Sequence, residues 1–437
     1  MNLKIFLSLI AVGATALTAG AETLTLGVDE CRERALTSSE DVQIASIESL
    51  ESGLDLDVAK RSYLPTVDAT AMGIYMFPDM DIADMMTLQM HGAYLAGLSL
   101  MQPIYTGGKL TAGKNLAKVG VEVSAEKERQ TKAQTVADVD KSYWTLVAVD
   151  SKIRMLKSYM VQLDSVYAQT ERAMTAGMIT RNDLLRVEAR RSEVAYNLKK
   201  AENGRDICRM ALCRQIGVDA DTEIAPADHE VNVTEPTMMS SDFSNRPELR
   251  MLQLAIDAKE QQVKMAKADY LPKIGFGLSY SRYGNIKAVM PYQLPDGSYT
   301  EVSQTTNKGI GMAMLSVQIP ILNWGITGKK VKKAKYDQNV AELTLEKNRR
   351  LLDLEVRQAI NNVNDGYELV LSARIALDQA WENLCNMDAR YKVSMCQLID
   401  LLDAQSQWTT AQSNLIEASA QYRIYQTDYL RATGNLF

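Results

Sequence analysis

Groups able to do acid–base or nucleophilic chemistry are sparse in this 437-residue chain. It has two histidines, His91 and His229, the first in a loop between candidate strands and the second in a proline-bearing connector. No nucleophile motif, phosphate-cradling glycine loop or metal-ligand spacing surrounds them. Catalysis is therefore not expected, and neither is a cofactor or a bound metal. Five cysteines, Cys31, Cys208, Cys213, Cys385 and Cys396, show no metal-type spacing. Cys208 and Cys213 are five apart on a helical stretch, so they do not share a face. All five read as small hydrophobes, with a disulfide left open. The other chemical signal is basic. Lys329, Lys330, Lys332, Lys333 and Lys335 follow the last candidate strand, and Lys109, Lys114 and Lys118 follow the second. Such clusters meet anionic lipid headgroups or form a solvated helix face.

The elements that must position these residues come in two copies. Arg61-Ser-Tyr-Leu-Pro-Thr-Val67 matches Ala268-Asp-Tyr-Leu-Pro-Lys-Ile274 at an offset of 268 − 61 = 207 residues. Leu98-Ser-Leu-Met-Gln-Pro-Ile104 matches Leu315-Ser-Val-Gln-Ile-Pro-Ile321 at an offset of 315 − 98 = 217, which also pairs Asp183 with Asp400 and Leu184-Leu185 with Leu401-Leu402. The extra residues fall between the two strands of the second copy. The expected repeats are 22–225 and 226–437. Each reads helix, strand, loop, strand, long helix, turn, helix. Strands are expected at about 65–76, 93–104, 272–282 and 309–321, and helical hairpins at about 109–216 and 325–432. The opening helix of each copy, roughly Val28 to Ser62 and Arg246 to Asp269, ends at Tyr-Leu-Pro, because proline cannot continue the helical ladder.

After each of these prolines the period changes to two. Ile274, Phe276, Leu278 and Tyr280 alternate with Gly275, Gly277, Ser279 and Ser281, and Ala313, Leu315, Val317 and Ile319 alternate with Met312, Met314, Ser316 and Gln318. Strands of about 10 residues with one apolar face suit a tilted bilayer crossing. Four strands cannot close a barrel, and an open edge is not tolerated in lipid, so several chains would have to pool them. The intervening loops, Met- and Asp-rich over 77–91 and polar over 283–307, suit external exposure.

The stretches from Lys109 to Gly177 and from Lys329 to Ser394 contain no proline. The first keeps a seven-residue series, Val139, Leu146, Ile153, Met160, Tyr167 and Met174; the second keeps Val356, Val363, Val370, Leu377, Leu384 and Tyr391. That spacing predicts coiled-coil packing.

Residues 1–21 read as a signal peptide: Lys4, an apolar run from Ile5 to Leu17, and Ala19-Gly20-Ala21 before the expected mature start at Glu22. No later run is long and apolar enough for a membrane helix. The formal net charge of −6 gives no sign of a nucleic-acid partner.

The duplicated Tyr-Leu-Pro, the strand exits Gln-Pro-Ile-Tyr-Thr-Gly-Gly and Ile-Pro-Ile-Leu-Asn-Trp-Gly, and the run Arg390 to Gln405 together resemble outer-membrane efflux proteins of the TolC type. The resemblance implies a mainly α fold with a small β part. Duplicated long helical hairpins would form an α-barrel tunnel, and four strands per chain would join a trimeric 12-stranded transmembrane β-barrel. It implies a homotrimer in outer-membrane lipid, extending into the periplasm and conducting passively, with a periplasmic adaptor and an inner-membrane transporter as partners. It places the aperture at Asp400 and Asp403, with Tyr391 and Asp183 holding the closed state. Three copies of two aspartates about one axis would form an acidic ring that favours cations; aspartates at a helix start also serve as caps. Where the resemblance would place an arginine two residues after a turn glycine, this chain has Cys396 two residues after Ser394. The membrane-proximal basic cluster would be Lys329, Lys330, Lys332 and Lys333. A periplasmic coiled-coil adaptor is the alternative; it explains the signal and the hairpins but not two pairs of membrane-length strands. An adhesin-like barrel is a third reading, to which Phe437, resembling a barrel-assembly signal but following a helix, adds little. The cargo is not legible.

Overall fold

The computed structural model describes residues 24–82, 85–229, 231–393 and 395–436. The signal-peptide reading at 1–21 with its cleavage site, Ser394 and Phe437 lie outside them. The chain opens with β1 (Leu24–Leu26), α1 (Val28–Ser38) and α2 (Glu40–Arg61), followed by β2 (Thr66–Tyr75), β3 (Met80–Ile82), β4 (Met86–Gln89) and β5 (His91–Tyr105). Helices α3 (Lys109–Thr175) and α4 (Arg181–Ile216) form the first long hairpin. After β6 (Ile224–Pro226) come α5 (Pro247–Ala268), β7 (Lys273–Gln293), β8 (Tyr299–Gln318), α6 (Ile326–Lys392) and α7 (Leu398–Thr433).

The chain forms two compact units that cut across the two copies of the repeat. One takes the described residues up to Ser46, 128–247 and 349 onward; it is helical apart from the short parallel pair β1–β6. Its heptad seams are buried as the seven-residue spacing predicts. Val139, Leu146 and Ile153 on α3, and Val356, Val363, Val370 and Leu384 on α6, all lie in the core. A single side-chain cluster joins both helical hairpins, with Tyr159, Leu163, Val187 and Val194 from the first and Leu384, Leu398, Leu401 and Leu402 from the second.

The opening helix is not continuous. Ser39 is extended (φ −60°, ψ 124°) and separates α1 from α2. The cause is a close approach that the sequence does not display. Gly217, the left-handed cap of α4 at φ 71°, sits where a Cβ would lie 2.4 Å from the Ser38 Cβ. The second copy repeats this contact: a Cβ on Gly434, the cap of α7 at φ 75°, would lie 2.7 Å from the Arg246 backbone nitrogen. Glycine is needed at both positions for its conformation and for its lack of a side chain.

The other unit, 47–127 and 248–348, holds the sheet. Helices α2 and α5 end in the same way before Pro65 and Pro272, with Leu64 N–H donating to the Arg61 carbonyl and Leu271 N–H to that of Ala268. The antiparallel order is β2-β5-β7-β8, so β2 and β8 have free edges. Val67, Leu98, Leu100, Phe276, Leu278, Tyr280 and Leu315 share one face, and Thr66, Asp68, Ser99, Ser279, Ser281 and Ser316 share the other.

In the second copy the strands are about twice the expected length. β7 has 21 residues and β8 has 20, and most of the expected loop 283–307 is a continuation of the same ladder beyond a bulge between Tyr283 and Ile286. The composition of this stretch hid the strands, because polar and apolar residues are mixed on both faces and the alternation is weak. The expected loop 77–91 likewise contains the small β3–β4 hairpin, which pairs onto β7.

Candidate functional site

The helix start that carries Asp400 and Asp403 is built by the turn between α6 and α7. Met395 N–H donates to the Arg390 carbonyl at 2.8 Å, as Met178 N–H donates to that of Ala173 at 2.9 Å in the first hairpin. The two turns close alike although Gly177 (φ 73°) has Ser394 as its counterpart. Cys396, at the position where an arginine was expected, donates its thiol to the Met387 carbonyl at 3.5 Å.

Asp400 and Asp183 hold equivalent positions, each three residues after the helix cap. Asp400 Oδ2 accepts the Gln397 N–H at 3.0 Å. Asp183 Oδ2 accepts from the Thr180 N–H at 3.2 Å and from its hydroxyl at 2.7 Å. Both carboxylates thus satisfy backbone donors that a helix start leaves open. Asp403, one turn further on, is exposed and bonds to none of the described residues. Tyr391 packs half-buried against the cluster that joins the hairpins, beside Met387, and no hydrogen bond links it to Asp183, Asp400 or Asp403. The four expected aperture residues therefore lie at the turn ends of the two hairpins, and the tyrosine–aspartate bond is not made within one chain.

Sequence reasoning missed the polar contacts behind this tip. Arg190 Nε donates to the Tyr159 hydroxyl at 3.2 Å, and Arg191 pairs with Asp164 at 2.6 Å while lying over the Tyr167 ring. Burial raises the Tyr159 phenol above its usual range, with Arg190 acting in the opposite sense. These contacts link residues 24 to 31 apart across an α3–α4 turn, a pairing that becomes legible only once the hairpin register is known.

The lysines form a second candidate surface. Lys329, Lys330, Lys332, Lys333 and Lys335 are exposed at the start of α6, and no carboxylate pairs with any of them among the described residues. Their position opposes the helix dipole, which favours anions at an N-terminus. Lys332 and Lys335 line an open groove of about 550 Å³ with Lys264 and Lys267 of α5. Just before them Ile319, Ile321, Leu322 and Trp324 stand exposed, Trp324 at 87%. Lys109 instead pairs with Asp269 at 3.5 Å, and Lys114 lies over the Tyr63 ring.

All five cysteines are free thiols. Cys31 and Cys213 are core residues and Cys208 packs against the same cluster, whereas Cys385 is exposed.

Comparison with known proteins follows the same outline. The family model described as "Outer membrane efflux protein" matches residues 31–218 and 240–435. Outer membrane protein TolC of Escherichia coli (strain K12) is 25% identical over 78% of this chain and 69% of its own length. Among solved structures, the CusC channel superposes with a TM-score of 0.77 at 16% identity, covering 96% of this chain and 95% of that one. The MtrE outer membrane channel of Neisseria gonorrhoeae gives 0.76 at 18% identity, covering 96% and 94%.

Proposed function

From the premise that this chain belongs to the outer membrane efflux protein family, a transport family rather than an enzyme family, we propose that it is the passive channel subunit of a tripartite export system. As a family member it is an outer-membrane protein reaching into the periplasm. The observation that supports a channel most directly is the sheet. It has one apolar face, one polar face, membrane-length strands and two edges, β2 and β8, that no strand among the described residues pairs with. Backbone groups on those edges need partners in lipid, and a second and third copy supply them, giving twelve strands in a homotrimer.

The helices favour the same assembly. Ile47, Leu50, Leu54 and Val58 form an exposed stripe on α2, and Tyr336, Val340 and Leu343 form one on α6. Such stripes mark subunit contacts. At the tips, three copies of Asp403 and Asp400 would ring the aperture, with Tyr391 and Asp183 bonding across subunits to hold it closed. A periplasmic adaptor and an inner-membrane transporter would supply cargo and energy, as the resemblance implies. The groove lysines Lys332 and Lys335, with Lys329, Lys330 and Lys333, would meet headgroup phosphates of the inner leaflet. Exposed Trp324 and Ile321 would anchor the adjoining interface.

The test is single-channel recording of the detergent-extracted, reconstituted protein, with native mass to count subunits. A trimer of small, cation-selective conductance that rises on Asp400→Asn/Asp403→Asn supports both the channel and its acidic gate. A trimer unaffected by the substitutions moves the gate elsewhere. A monomer without conductance returns the periplasmic adaptor to the front. For the basic surface, charge reversal at Lys329, Lys330, Lys332 and Lys333 should lower the fraction recovered in anionic bilayers, and unchanged recovery would sink that assignment.

A further inference from the structure

Methionine is distributed over the sheet on one side only. The register places Met72 opposite Leu95, Met101 opposite Thr66 and Gly277, Met314 opposite Gly277, and Met312 opposite Ser279. All four share the face of Ser99, Ser279 and Ser316, and the Met101 sulfur lies over Gly277. The same face continues outward along the unbroken strand β8, where Val302 and Gln304 pair with Met290 and Ala288. Leu88 pairs with Ala288 on one side and with Met80 on the other. Met86 lies two residues before Leu88 on its own strand, and Met90 two residues after it, between β4 and β5. Continued by one residue, the β4–β7 register sets Met290 opposite Met86, and the Met76 N–H donates to the Met90 carbonyl at 3.1 Å. The other face holds Leu, Val, Ala, Phe and Tyr and no methionine.

Met80, Met86 and Met290 therefore flank Leu88 on three adjacent strands, and Met90 and Met76, joined by their backbone bond just beyond the ends of β4 and β2, bring the thioethers to five. Directly opposed residues have Cβ atoms about 5 Å apart, and the long unbranched side chain lets neighbouring sulfurs converge. The sheet here lies past the β7 bulge, where burial does not explain the choice of residue: Met80 and Met290 are 47% and 43% exposed. Asp68 shares this face only at the far end of the sheet, opposite Ser99. His91 stands opposite Tyr75 on the other side, bound to Asp79 at 2.8 Å and stacked on the Tyr75 ring. Asp81 accepts the Thr87 hydroxyl on that same outer side. An all-sulfur, uncharged donor set selects soft monovalent ions over zinc, calcium or copper(II).

We propose that the Leu88 cluster is a binding site for a soft monovalent metal ion, copper(I) or silver(I), held by thioethers of Met76, Met80, Met86, Met90 and Met290. The site rests on strand register at Met80, Met86 and Met290 and on the backbone bond between Met76 and Met90; its place at the outer mouth of a conduit rests on the channel reading above. Met72, Met101, Met312 and Met314 extend the same face toward the helices.

The probe is silver nitrate in chloride-free buffer, added to the full-length detergent-extracted protein carrying 13C-methyl methionine. The five methyl resonances, assigned by single Met→Leu variants, should shift together and saturate at a fixed ratio of silver to chain, and zinc should leave them in place. Silver retained after gel filtration should fall by at least one ion per chain in the fivefold Met→Leu variant. The five cysteines are common to both proteins and cancel in that difference. Should the fivefold variant fail to assemble by native mass, Met76→Leu/Met90→Leu serves in its place, with weakened silver retention expected. Unmoved methyl resonances, or equal silver retained by wild type and variant, would overturn the site. Neither measurement uses conductance, so a failed channel assay and a failed metal assay remain separate results.

Discussion

Asp400 and Asp403 sit one helical turn apart yet do different work within the chain. Asp400 holds the Gln397 N–H, whereas Asp403 is exposed and bonds to none of the described residues. Asp400→Ala should loosen the start of α7 by about 1 kcal/mol, which is roughly fivefold faster amide exchange at 398–401. Asp403→Ala should leave that exchange unchanged, so any effect of Asp403 on ion selectivity belongs to the aperture and not to the fold. The cysteines give a second contrast. Burial pushes the Cys31 thiol up to about 12 from 9.0, while Cys385 is exposed. A raised folded-state value means that the unfolded chain loses its proton first as pH rises. This contribution is thus complete below pH 9 and fades toward pH 12. Unfolding midpoints measured from pH 8 to 11 should fall, and Cys31→Ala should flatten the decline. At neutral pH, maleimide should label Cys385 in the native protein and leave Cys31 unmodified.

At the scale of elements, α1, α3 and α7 are tied by one buried carboxylate. Asp140 is fully buried; it accepts from Arg32 Nε at 2.7 Å and from the Thr427 hydroxyl at 2.5 Å. Asp140→Ala leaves the Arg32 guanidinium with exposed Asp29 as its remaining carboxylate partner. Removing one partner of a buried pair costs about 3–5 kcal/mol, and the lower end applies because Arg32 is one-third exposed. Limited proteolysis should then cut α1 ahead of the hairpins; unchanged cutting would mean that the docking of Gly217 on Ser38 suffices to hold α1. The heptad series on α3 and α6 is legible in the sequence because each helix buries one stripe along its length. The break at Ser39 is not legible, since it answers a contact from a residue 178 positions away, 217 − 39.

For the whole molecule, the strands exceed what a bilayer needs. About 10 residues cross a tilted span, and β7 and β8 have 21 and 20. Replacing 287–304 with a tight turn should leave native mass and membrane insertion intact, while removing the silver site at Met290. Loss of trimer would instead show that the outer extension joins the subunits.

The sequence by itself determined the duplication, the proline-terminated helices, the coiled-coil seams and the two-faced strands near the prolines. Each of these is a local period written in residue type, and a resemblance to a family could be read from their order. Only the tertiary structure decided the continuation of β7 and β8 through a polar stretch, the pairing of β3–β4 onto β7, and the gathering of methionines around Leu88. Those depend on register across a bulge between Tyr283 and Ile286, and a one-residue shift there moves every later side chain to the other face. The physical reason is that periodicity fixes which residues share a face within one strand, whereas hydrogen bonding between distant strands fixes which faces coincide.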